Sequence, residues 1–93
     1  MKHSFLIHHD GDDVAVAVRD VDAGEEVVVV AMDTGAESRV TTRAAVPLGH
    51  KVALKDLSQG APLHKYGLPV GTVTAPIATG DHVHTHNVRS ARW

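Results

Sequence analysis

VPLGHKV, residues 46–52, sets a glycine at the centre of a frame: an apolar residue, two others, glycine, two others, an apolar residue. The same frame returns as VDAGEEV at 21–27, LSQGAPL at 57–63 and IATGDHV at 77–83. Glycine tolerates the positive φ that tight turns demand, so each copy predicts a turn between two short strands. The glycines stand at 24, 49, 60 and 80, a spacing too uneven for a solenoid of fixed period. A compact, coiled all-β domain of many short strands and glycine turns accommodates them.

The segments around the turns agree with this. VAVAV at 14–18 alternates large with small apolar residues, and VVVV at 27–30 has no polar position. Both are short and rich in β-branched residues, which predicts strands, the second buried on both faces. Asp10-Gly11 signals a hairpin between SFLIH (4–8) and VAVAV. MDTGAES at 32–38 is a polar turn or loop. Pro69, between Gly67 and Gly71, suits an edge or a bend better than a central strand. The best helical candidate, VALKDL at 52–57, is too short to count as a helix, and no linker divides the chain. One domain over residues 1–93 is expected.

A chain of 93 residues buries only about 60 to 65% of the surface its unfolded form exposes. That leaves little room for a deep cleft. The formal charge is −2 with eight histidines, so no basic surface points to nucleic acid. The absence of cysteine excludes disulfides, thiolate zinc sites and thiol catalysis together. The opening MKHSFLIHHDG has an apolar run too short for a signal peptide, and nothing approaches a membrane span of about 20 apolar residues. A soluble, unprocessed, cytoplasmic protein is expected. Phe5, Tyr66 and Trp93 are the only aromatic residues, so aliphatic side chains must make the core.

Two copies of the turn carry unusual side chains. In GHK, His50 and Lys51 follow the glycine; in GDHVHTHN, Asp81 and His82 follow it, with His84 and His86 beyond. Histidines separated by Val83 and Thr85 are unlike an expression tag. On a strand, His82, His84 and His86 share one face at successive spacings of about 6.5 to 7 Å. Neighbours in that series can lean towards one ion at nitrogen–metal distances near ~2.1 Å, whereas the outer pair can share one only if the strand bends. Two of the three are therefore expected to reach the chemistry, His84 and His86 ahead of His82. Imidazole without thiolate suits iron(II), manganese or zinc, and the remaining ligands must come from elsewhere. The bland alternative is a solvated face that carries histidines without purpose.

Lys51 beside His50 suits either a substrate carboxylate and a depressed neighbouring pKa, or an ordinary solvated turn. His8 and His9 are expected at the surface unless one faces the same site, and His3 and His64 receive no role. Trp93 either plugs the core or docks against a partner. No Ser-His-Asp order, phosphate-cradling loop or pair of acids for glycoside hydrolysis is present.

Taken in order, PLGHKVALKDL (47–57), KYGLPVG (65–71) and GDHVHTHN (80–87) resemble the small SAF-type domain of the altronate and galactarate dehydratase family. FLIHHDGDDVAVAV (5–18), MDTGAESRV (32–40) and HTHNVRSARW (84–93) are most similar to its stand-alone small subunits that act on sulfolactate. The resemblance implies a β-clip fold, in some members the start of a long polypeptide and in others a separate subunit. It implies a lyase acting on a 2-hydroxy acid: a base removes the C2 proton and a group leaves C3, water from a sugar acid or sulfite from sulfolactate. A divalent metal, commonly iron(II), with manganese or zinc as alternatives, is implied with it. A larger catalytic subunit would supply most of the site. The small domain would add His50, Lys51 and His82 as catalytic residues, Lys51 and Asn87 as substrate contacts, and His84 and His86 as metal ligands. The early histidine of the family corresponds to His8 or His9. Two other classes remain open: a free-standing module binding a sugar acid or a metal without catalysis, and a structural domain whose histidines decorate its surface.

Overall fold

A computed structural model of the chain describes residues 3–7, 11–65 and 68–90. His8, His9, Tyr66 and Trp93, and the Asp10 half of the expected hairpin, lie outside the described residues. Among the described residues there are nine strands and no helix. They are β1 (His3–Ile7), β2 (Val14–Ala17), β3 (Glu26–Ala31), β4 (Glu37–Thr41), β5 (Lys51–Ala53), β6 (Pro62–Lys65), β7 (Leu68–Val73), β8 (His82–Val83) and β9 (Val88–Ser90). The first sheet runs β4-β3-β1-β2-β5-β8 and the second β6-β7-β9. All neighbours are antiparallel except β1 and β3.

The four glycine turns organise both sheets. Gly24, Gly49, Gly60 and Gly80 all take positive φ, between +81° and +90°, and each turn feeds a strand: β3, β5, β6 and β8 in turn. In three of them the residue after glycine bonds back across the turn, as in His50 N–H to Pro47 O, Ala61 to Ser58 and Asp81 to Ala78. This is the type II pattern, which requires positive φ at its third residue. The copies work in pairs. Val21 bridges Val46 and Leu57 bridges Ile77, so the first turn docks on the second and the third on the fourth. An aspartate before each bridge caps the opposite turn: Asp20 Oδ1 accepts the Leu48 N–H and Asp56 Oδ1 the Thr79 N–H, both at 2.8 Å. Docking in pairs explains a repeat without a fixed period.

Strand alternation divides the apolar residues between two cores. Ala15, Ala17 and Val52 face one core with Phe5, Val27, Val29 and Val46. Val14 and Ala53, their neighbours on β2 and β5, face the other with Leu63, Val73, Ile77, Val83 and Val88. A strand covered on both faces reads as a continuous apolar run, which accounts for VAVAV; in VVVV, Val27 and Val29 face the first core, Val28 is buried outside both clusters and Val30 is half-buried. Each wholly buried Val, Leu or Phe contributes roughly 1.5–3 kcal/mol.

Two expectations change. The strand expected through 82–86 ends at Val83: residues 84–87 bend, and the chain rejoins the second sheet as β9. A continuing strand would stay in the first sheet, whereas Val88 must reach Val73 on β7. Pro69 lies within β7, the middle strand of the second sheet, yet the reason for expecting an edge survives. Its register partner is His64 on β6, while β9 begins to pair only at Gly71, so the proline meets no ladder on its other side among the described residues.

Candidate functional site

The second and fourth turns, the two that carry histidines, meet because β5 and β8 pair antiparallel. Lys51 lies opposite Val83 and Val52 opposite His82. Extending that register sets His84 across from His50, with His82 two residues along on the same face. The rings follow this order. His50 stacks on His84 at a centroid separation of 4.3 Å and on His82 at 5.1 Å. Nδ1 of His50 and Nε2 of His82 are 2.9 Å apart, one donating and the other accepting according to tautomer. The His86 ring meets that of His82 at 5.3 Å, tilted by 39°.

Asn87 holds the bend in place. Its Oδ1 accepts the His84 N–H and its Nδ2 donates to the His82 carbonyl, both at 3.0 Å. Its own N–H donates to His84 O, and its carbonyl receives the Thr74 N–H. The residue is 7% exposed. The side chain expected to contact substrate is thus spent on the backbone of two histidines, a short link that spacing alone does not reveal.

The surroundings disfavour the charged forms of His82 and His84. Burial, then the charges of His50, His86 and His84, pushes the His82 pKa below 6.5. Burial, then the charges of His50, Lys51 and His86, does the same for His84. Lys51, 7% exposed, heads β5 beside them. On the other side of His82 an open pocket of about 320 Å³ is bordered by Pro76, Asp81, His86 and Asn87. Asp81 Oδ2 accepts the Ala78 N–H at 2.8 Å, and Arg43 Nε lies 3.6 Å from its Oδ1.

One nitrogen each from His50, His82 and His84 lies within 4.8 Å of the other two. Cis ligands on an octahedral ion with ~2.1 Å bonds stand about 3 Å apart, a separation close to the 2.9 Å between His50 Nδ1 and His82 Nε2. The structure therefore groups His50 with His82 and His84, and leaves His86, an expected ligand, outside the trio. The missing clue was the pairing of the two decorated turns. His64, given no role, makes a separate contact: Asp13 Oδ2 accepts its N–H at 2.8 Å and lies 3.1 Å from its Nδ1.

Paired glycine turns, two small sheets and an imidazole cluster on a sheet edge define an all-β domain with no helix among its described residues. The chain belongs to the altronate/galactarate dehydratase SAF domain family, whose model matches residues 3–91. It is 37% identical to the (2R)-sulfolactate sulfo-lyase subunit alpha of Chromohalobacter salexigens, over the full length of both chains. It is 39% identical to the subunit of that name from Paracoccus pantotrophus, over 72% of this chain and all of that one. Altronate dehydratase of Escherichia coli is 48% identical over 88% of this chain, but the match spans only 15% of that enzyme.

Proposed function

We propose that the chain is the small subunit of a lyase that eliminates sulfite or water from a 2-hydroxy acid, and that its histidine face closes over the active site of a larger subunit. The observation that carries this reading is one of length. The chain matches a sulfo-lyase subunit alpha from end to end, yet only a small fraction of altronate dehydratase. A chain of this size offers an open pocket of about 320 Å³, near the lower limit for small-molecule sites, so further walls must come from a partner.

The donor set fits a divalent metal, which His50, His82 and His84 would hold, with iron(II) first and manganese or zinc as alternatives. When bound, such an ion supplies positive charge to the substrate's carboxylate and hydroxyl oxygens and lowers the cost of charge that develops as C2 loses its proton. The chain's own groups divide the remaining work. Lys51 adds positive charge beside His84 and attracts an acid substrate. His86, exposed at the pocket edge, is placed to exchange a proton with the leaving group. Asn87 orients His82 and His84. No helix among the described residues is long and apolar enough to cross a membrane, and a cytoplasmic location is part of the proposal.

Co-expression with the large subunit of such a lyase tests this. The two chains should purify together, and only the mixture should release sulfite from (2R)-sulfolactate or form a 2-keto-3-deoxy acid from altronate. Full turnover by the small chain alone, or no association, would overturn the proposal.

A further inference from the structure

We infer that His50, His82 and His84 form a divalent-metal site that loads on this chain alone, before any partner joins it, and that Asn87 presets its geometry. The inference deepens the function proposed above, but its test needs neither substrate nor partner, so either can fail without the other.

All three donors lie on two neighbouring segments of chain joined by hydrogen bonds. His50 enters β5, His82 lies on β8, and two ladder pairs fix these strands together. Half of the geometry is therefore set by the sheet. His84 lies past the end of β8, and Asn87 supplies what the ladder lacks by holding the His84 N–H and the His82 carbonyl with one amide group. Donors held this way lose little conformational freedom on binding, which is the main cost of assembling a site from separate loops. A full octahedral shell would keep about three positions open beyond the trio, enough for two oxygens of a hydroxy acid.

The chemistry of the set narrows the ion. Three imidazoles with no thiolate and no carboxylate among them favour cobalt, nickel, zinc or iron(II) over magnesium and calcium, which require oxygen. His86 provides an internal control. It is exposed and lies outside the trio.

The test is a cobalt(II) titration of the untagged full chain, followed by visible absorption, with a calorimetric titration in parallel. One ion per chain and a d–d band are expected. H50A and H84A should each weaken binding by roughly tenfold or more, as should N87A, whereas H86A should leave the affinity near that of the parent. Val29→Ala, which opens a cavity in the core away from the site, controls for lost stability: circular dichroism should show destabilisation while the cobalt band persists. A folded parent chain without a cobalt band would overturn the inference. So would a loss in H86A equal to that in H50A, or a loss in V29A matching that in N87A.

Discussion

Gly60 and Gly80 occupy the same place in the repeated turn, with φ of +88° and +90°, yet an added methyl group would meet different surroundings. At Gly60 nothing lies within 4 Å of the new carbon. At Gly80 it collides with the backbone carbonyl oxygen of Thr41, and the Arg43 Cγ stands 3.3 Å away. The left-handed backbone alone costs an alanine about 1–2 kcal/mol, which sets the expected loss for Gly60→Ala. At Gly80 the Thr41 strand must also shift, and that strand is tied to the turn by the Arg43 N–H donating to the Gly80 carbonyl at 2.9 Å. Disturbing a buried hydrogen-bonded contact adds about 1–3 kcal/mol, so Gly80→Ala should lose about 2–5 kcal/mol in all. Small domains have only about 5–15 kcal/mol to lose, and each 1 kcal/mol moves Tm by about 4–8 °C. Urea denaturation followed by circular dichroism would measure both variants against the parent. Equal losses at the two glycines would refute the close approach of the fourth turn to Thr41.

Three further expectations follow from named contacts. With the His82 and His84 pKa values pushed below 6.5, the metal-free folded chain binds fewer protons than the unfolded one. Their contribution is fully present above the unfolded value and is lost as pH falls through the folded values. The urea midpoint should therefore fall from about pH 7 to about pH 5 more steeply in the parent than in an H82Q/H84Q variant, and equal slopes would contradict this. Asp13→Ala removes the acceptor for the His64 N–H and ring, with Lys55 Nζ 3.4 Å from the other oxygen. It should cost about 2–3 kcal/mol in the same assay, and Asp13→Asn less. Thr42→Val strips a buried hydroxyl that donates to Asp22 O at 2.6 Å and accepts the Glu25 N–H at 3.1 Å. A loss of about 1–3 kcal/mol in chemical denaturation is expected.

Much of the fold is legible because glycine at positive φ is a local requirement. Four copies of one frame mark four turns, and the apolar runs between them mark strands. β1 and β2 pair antiparallel, Phe5 opposite Ala17 and Leu6 opposite Val16, while the Asp10 half of the expected hairpin lies outside the described residues. What stayed hidden is non-local. That VPLGHKV would lie antiparallel to IATGDHV depends on the pairing of β5 with β8, which no window of sequence contains. Alternation along 82–86 suggests one strand, and only the need to cross to the second sheet breaks it after Val83. His50 accordingly looked like a residue acting beside the metal, whereas the register sets it among the imidazoles. Asn87 is implied as a substrate contact by the resemblance alone, and its engagement with the backbone becomes visible only with the bend.

The proposed role stands or falls with the histidines inside the assembled enzyme. Turnover should be compared between large subunit joined to the parent chain and large subunit joined to an H50A/H84A double variant, with assembly checked by light scattering. The account expects complexes of equal mass and a turnover reduced by roughly a hundredfold or more, the scale on which a positioned acid–base or ligand group acts. Unchanged turnover in a fully assembled double variant would show that the histidine cluster decorates the domain and that the chemistry lies wholly on the partner.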